Sequence, residues 1–297
     1  MRVQNRFGCV RRKRYYRTAG MGIFVNVGDN VTAPSRDDTG KAPFATTQNT
    51  SQIAAPRSSV ESAIEALRDF GVWNGSLYLM SRFLVRATNG RCRFVKYYLV
   101  AQPVRPVPYL KRQTDVISID RIEPDNPLVK QFPRPAEVLA KRFADGSVCF
   151  AASKHGKFVG FIWLQHDCYE EDEVRCNFFP APREKAVWDY DVHVEPEFRM
   201  GRIFLRLWDV AHDYLRDRGI AWTVSRISAF NTESLASHRR LGAVRLAIAT
   251  FVCVGDVQAA CFSVRPWLHL SRRPDRRPDL RLLTHATTGL IASSGHQ

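Results

Sequence analysis

The sequence is short of acidic residues, of paired cysteines and of long apolar runs, and each shortage narrows the field. No window approaches the roughly 18 consecutive apolar residues of a membrane span, which argues against an integral helical membrane protein. The seven cysteines (Cys9, Cys92, Cys149, Cys168, Cys176, Cys253 and Cys261) are odd in number and never spaced C-x-x-C. Neither a disulfide framework nor a zinc ribbon is spelled. Cys149, Cys253 and Cys261 lie in apolar, strand-like runs, where a free cysteine behaves as a small hydrophobe. A reduced, cytoplasmic protein without a metal site is expected.

Asp and Glu number 29 against 44 Lys and Arg, a net charge of +15. The excess sits mostly at the ends. Residues 1–57 carry ten basic and three acidic residues, and residues 264–297 six and two, which leaves +4 for residues 58–263. A basic total speaks for nucleic acid only when it clusters on a folded surface. Two solvated tails are therefore the expectation, with nucleic-acid binding through them the less favoured alternative.

What is present suits a globular protein: 297 residues, 45% of them hydrophobic and 25% charged. Arg11-Arg12-Lys13-Arg14 could begin a signal peptide, but no apolar segment of the right length follows. Residues 32–59 are rich in Thr, Ser, Asn, Pro and Gln and read as disordered. The break in composition near residue 57 also fits a translation start further downstream. Arg272-Arg273-Pro274-Asp275-Arg276-Arg277-Pro278 cannot hold a regular helix. The expected organisation is a basic disordered tail (1–57), an N-terminal extension packed on the core (58–112), a catalytic-type domain (113–264) and a second basic disordered tail (265–297).

Periodicity orders the middle. Val60, Ile64, Leu67 and Phe70 have helical spacing, and residues 94–100 are β-branched and aromatic, as in a strand. From about 113 the pattern is regular. Strands are expected at 116–122, 147–153 and 157–165, the last two joined by a tight turn at His155-Gly156. A helix is expected at 136–143 and a strand at 186–194. Ile203, Leu207, Ala211 and Leu215 define a helix face that Gly219 closes. A strand at 221–227, a short helix at 232–241 and strands at 245–254 and 258–264 complete the series. The order predicts a mixed α/β (α+β) fold, with a central sheet and helices on both faces. Trp188, Trp208 and Trp222 fall on elements expected to be buried, and read as core.

Residues 186–243 carry the chemistry. A strand ending Val192-His193-Val194 runs through Glu195-Pro196-Glu197-Phe198-Arg199-Met200-Gly201-Arg202 into a helix. A loop at a helix N-terminus presents backbone N–H groups and the positive end of the helix dipole to an anion. Arg199 and Arg202 add phosphate donors. The second element runs from Asn231 and Ser234 through His238 to Leu241-Gly242-Ala243. Asp189, Asp191 and His193 share one face of the 186–194 strand if the two-residue period holds. Tyr169-Glu170-Glu171-Asp172-Glu173 is the one strong acidic run. It reads either as a lure for a cationic amine or as a solvated loop.

Val194, Pro196, Glu197, Phe198 and Arg199, followed by Asn231, Ser234, Leu241, Gly242 and Ala243, resemble the motifs of the Gcn5-related N-acetyltransferase (GNAT) superfamily. The hairpin ending Phe158-Val159-Gly160-Phe161-Ile162 is also similar. The resemblance covers about 113–264, roughly half of the chain. It implies transfer of an acetyl or longer acyl group from acyl-CoA to a primary amine on a small molecule or amino acid, by direct attack on the thioester. In that family the fourth and fifth strands (here 186–194 and 221–227) splay apart around the pantetheine arm. Backbone N–H groups near Val192 and Val194 would polarise the thioester carbonyl. Arg199, Gly201 and Arg202 would hold the pyrophosphate, and Asn231 and Ser234 would line the pantetheine groove.

Two departures stand out. In register with Arg199, the family's small residues fall at Arg202 and Phe204; either the phenylalanine crowds the pyrophosphate or the loop is rebuilt with Gly201 as its turn. The tyrosine that often protonates the leaving thiolate in that family is replaced by His238, which reads either as a proton donor near neutral pH or as a solvated helix residue before Arg239-Arg240. Asp191 is the candidate for a water-relayed base. These departures keep a non-catalytic interaction module in play. The apolar 77–85 segment and the basic tails motivate a rival in which the enzyme touches a membrane and takes a long acyl chain.

Overall fold

The computed structural model describes residues 59–111, 116–198 and 202–284. The expectations for residues 1–57 and 285–297 lie outside these. A long helix α1 (Ser59–Ala87) leads into strand β1 (Cys92–Pro103), followed by β2 (Ile117–Ile122), a 3-10 turn (Pro127–Gln131) and helix α2 (Ala136–Ala144). Next come β3 (Val148–Lys154), β4 (Lys157–Gln165), the two-residue β5 (Tyr169–Glu170), β6 (Asn177–Ala181) and β7 (Ala186–Val194). A 3-10 turn (Pro196–Phe198) precedes α3 (Ile203–Arg216), then β8 (Trp222–Ser228), α4 (Thr232–Arg240), β9 (Val244–Val254), β10 (Val257–Phe262), β11 (Leu268–Ser271) and β12 (Asp279–Leu283).

Nine strands form one mixed sheet in the order β11-β10-β9-β1-β8-β7-β4-β3-β2, and β12-β6-β5 form a smaller second sheet. Only β7 and β8 pair in parallel within the large sheet. The β3–β4 hairpin turns through His155 (φ 50°) and Gly156 (φ 76°), two successive left-handed residues that match the twist of the flanking strands. In α3, Ile203, Leu207, Trp208, Ala211 and Leu215 are buried. Gly219 (φ 68°) ends that helix, and the Ile220 N–H returns to the Leu215 carbonyl at 3.0 Å.

Helices cover both faces of the sheet, as the alternation of apolar residues requires. On one face Val187 of β7 joins Ile162, Leu164, Leu207, Trp208 and Leu241 in a core under α3 and α4. On the other face Trp188 joins Trp163, Phe161 and Leu139 of α2. Phe178, Leu280 and Leu282 of the small sheet seal that second core. The Phe178 and Trp188 rings stack at 4.8 Å.

Three expectations are corrected. The 58–112 segment is more than a packed extension, because β1 sits in the middle of the sheet between β8 and β9. Residues 268–271 and 279–283, expected in a disordered tail, are strands. The acidic run is solvated only in part: Glu170 and Asp172 are exposed, but Glu171 is fully buried on Arg226, and the Tyr97 hydroxyl donates to Glu173. Burial pushes the Glu171 carboxyl up, opposed by the charge of Arg226.

Candidate active site

The site begins where β7 and β8 part. They pair over Ala186–Trp222, Val187–Thr223 and Trp188–Val224, and no further. Beyond Trp188, β7 stays on β4 while β8 stays on β1, so a cleft opens between residues 189–194 and 225–228. A wedge of this kind leaves backbone edges that a ligand can pair with.

A bulge shapes the β7 side. Trp163 pairs with Tyr190 and Phe161 with His193, so Asp191 and Val192 together oppose the single residue Ile162. Asp191 takes φ 49° to accommodate the extra residue. One inserted residue reverses the phase of everything after it. Val187 and Asp189 face α3, and after the bulge Val192 and Val194 face it too, half-buried against the same core. Asp191 and His193 are turned to the α2 face. Gly160 of β4 is part of this geometry, because a Cβ there would stand 2.6 Å from the His193 carbonyl oxygen.

The expectation that Asp189, Asp191 and His193 share a face is therefore corrected. Asp191 lies between two guanidiniums: Arg134 grips both carboxylate oxygens, and Arg142 donates to one of them. Burial alone would raise this carboxyl, but the hydrogen bond from Arg134 and the charges of both arginines hold it below its ordinary range. A carboxylate stabilised in this way is a poor proton acceptor. His193 packs beside Phe158 and Phe161, with Nε2 3.3 Å from Glu195 Oε1. Burial, with help from Arg134, lowers its pKa.

Asp189 is different. It is 1% exposed and has no cationic partner among the described residues. Burial raises its pKa from 3.8 to about 7, tempered by the neighbouring hydroxyls of Thr223 and Ser225. Among the described residues its Oδ2 has no hydrogen-bond partner, and neither do Thr223 Oγ1, Ser225 Oγ or the side-chain amide of Gln102, all buried. Gln102 and Thr223 are paired across β1 and β8. Buried polar atoms in such number require polar company. An apolar strand would not place Thr223 and Ser225 on alternate positions, and that alternation was the available signal for them.

The other candidates are distributed as follows. His238 lies under Trp208, ring centroids 5.9 Å apart, with Nδ1 unpartnered among the described residues, and burial lowers its pKa to about 4. That corrects the expectation of an imidazolium able to donate near neutral pH. Asn231 caps α4, its side-chain oxygen accepting from the Ser234 N–H at 2.9 Å. Arg202 is exposed at the N-terminus of α3, which has no side-chain cap among the described residues. Arg199 and Gly201 lie outside the described residues. Phe204 is half-buried against the α3 core, its ring 6.4 Å from Trp208. Arg134 and Arg142 carry no local pattern that links them to Asp191.

No protein family's sequence profile matches the chain, and no curated protein matches it by sequence. Its likenesses are to solved structures. A functionally unknown conserved protein from Staphylococcus epidermidis superposes at a TM-score of 0.41, with 13% identity over 58% of this chain and 65% of that one. The chain thus spans just under two thirds of that protein. A putative GNAT-family acetyltransferase from Novosphingobium aromaticivorans gives 0.37, with 13% identity over 53% and 63%. A GNAT acetyltransferase from Elizabethkingia anophelis, solved with acetyl-CoA bound, gives 0.32, with 14% identity over 43% and 75%. At TM-scores below 0.5 these are partial likenesses of shape.

Proposed function

We propose that this domain is an acyl-CoA-dependent N-acyltransferase. The observation that carries the reading is the separation of β7 from β8 after three residue pairs, with the bulge at Asp191 and Val192 on its edge. An extended pantetheine arm fits between two diverging strands, and Val192 and Val194 face the α3 side of that cleft. The anionic end of the cofactor would meet the N-terminus of α3, where Arg202 lies and where Arg199 and Gly201 precede it in sequence. The acceptor is a primary amine on a small molecule or amino acid. It attacks the thioester carbon, and carbon–sulfur cleavage releases the CoA thiolate. Holding amine and thioester side by side supplies much of the acceleration.

The amine must lose a proton. Asp189 replaces Asp191 as the proton acceptor in this reading, acting through a relayed water beside the neighbouring Thr223 and Ser225 hydroxyls. A carboxyl near pKa 7 is matched to proton transfer at neutral pH. The melting temperature with and without acetyl-CoA tests the cofactor. At about 100 times its dissociation constant, a ligand adds roughly 2.7 kcal/mol, a readily visible shift. Longer acyl-CoAs in the same assay give the acyl length. No shift with acetyl-CoA or any longer homologue refutes the assignment.

A further inference from the structure

We propose that the outer face of α1 docks on an anionic lipid bilayer. The inference stands apart from acyl transfer and does not rest on it. Helix α1 bends at Gly71 (φ 73°, ψ 163°), and the part that follows is anchored on one side only. Asn74 donates to the Tyr98 hydroxyl and accepts from Lys96, Ser81 donates to the Phe94 carbonyl, and the Tyr78 ring packs on Phe230. The opposite side is open and largely apolar, interrupted by the exposed Ser76. Val72 is 77% exposed, Trp73 74%, Met80 43% and Phe83 70%. At helical spacing these four fall within an arc of about 100°. Arg82 and Arg86, both exposed, follow one edge of the arc.

Charge identifies the partner. Residues 71–114 contain no Asp or Glu and eight Lys or Arg: Arg82, Arg86, Arg91, Arg93, Lys96, Arg105, Lys111 and Arg112. An apolar stripe with arginines on its flank suits the interface of an anionic membrane, with the aromatic rings at the acyl boundary and the guanidiniums among the headgroups. A second copy of this chain would bring two such acid-free segments face to face, and like charges oppose that contact. A nucleic acid would use the arginines but not the aliphatic Val72 and Met80. No described helix is long and apolar enough to cross a membrane, so the docking is peripheral.

The test is co-sedimentation of the full chain with phosphatidylcholine vesicles, with and without about 30% phosphatidylserine. The expected result is binding to the anionic vesicles alone, weakened by about 0.5 M salt. Trp73→Glu with Phe83→Glu is expected to cut the partition coefficient at least roughly tenfold. Both side chains are exposed, so an unchanged melting temperature would show the fold intact. Arg82→Gln with Arg86→Gln, which leaves the apolar stripe whole, is expected to weaken binding as well. Absence of binding to anionic vesicles overturns the proposal. So does binding that the Trp73/Phe83 pair leaves unchanged, since other basic segments would then carry it. Conversion of a dimer to a monomer by the same pair, in sedimentation equilibrium, would assign the face to a second copy instead. Loss of binding to a duplex RNA, with vesicle binding kept, would assign it to nucleic acid.

Discussion

Asp189→Asn should make the protein more stable at neutral pH and less active. The wild-type carboxyl has a folded pKa of about 7 against an ordinary 3.8, because burial penalises its charged form. Each unit is worth about 1.36 kcal/mol, so the full shift corresponds to about 4 kcal/mol. The unfolded chain releases its proton near 3.8 while the folded chain keeps it to about 7. Between those values the folded state binds more protons, and stability falls as pH rises. About one unit above the folded pKa both states are ionised and the loss is complete. Asparagine is nearly isosteric and does not titrate. Urea unfolding of both proteins should therefore give a difference in favour of the variant that grows by roughly 2 kcal/mol between about pH 5 and pH 7, then levels off above about pH 8. Taking the difference between variants cancels the other titrating groups. A difference independent of pH would refute the reasoning, because Asp189 would then be solvated in the folded state. If it is also the proton acceptor, turnover should fall by roughly 100-fold or more in the stabilised variant. Opposite signs for stability and turnover are a signature of a functional site.

Asp191→Ala leaves Arg134 and Arg142 unpaired beside a core and should cost about 3 kcal/mol. Its contribution is present above the ordinary carboxylate range and is lost as pH falls through the lowered folded value, which acid titration by circular dichroism would register. Under the present assignment, the pH profile of turnover should keep its shape in Asp191→Asn, and a lost limb would restore Asp191 as the base. His238 must charge when the chain unfolds in mild acid. With a folded pKa of about 4 it should withdraw about 3 kcal/mol of stability as pH falls from 6.5 to 4, and His238→Phe should reduce that slope. Gly160→Ala places a methyl 2.6 Å from the His193 carbonyl oxygen and should cost about 1–3 kcal/mol, readable as a lower melting temperature.

Much of this architecture is legible in the sequence, and the reasons are local. His155-Gly156 announces a two-residue hairpin turn, and the spacing of Ile203, Leu207, Ala211 and Leu215 announces α3. The strand at 186–194 has the bounds expected of it. What fails is the assumption that a strand keeps one phase throughout. Nothing in Tyr190-Asp191-Val192 marks a bulge, so three acidic or basic side chains seem to line up when the bulge divides them. Partners far apart in the chain are equally silent: Arg142 meets Asp191 across 49 positions and Arg226 meets Glu171 across 55. Strand β12 was hidden for another reason. Its neighbours are Pro278 and several arginines, and its parallel pairing with β6 is a contact between segments about a hundred residues apart.

That last pairing has a consequence for synthesis. A ribosome makes the chain from its N-terminus, so β12 is among the last of the described elements to emerge. Until it does, Leu280 and Leu282, both all but completely buried in the finished fold, are missing from the core that Phe178 and Trp188 share. The nascent core therefore waits without the cover that Leu280 and Leu282 supply, and a premature stop before residue 279 would release a chain with that part of the core unsealed.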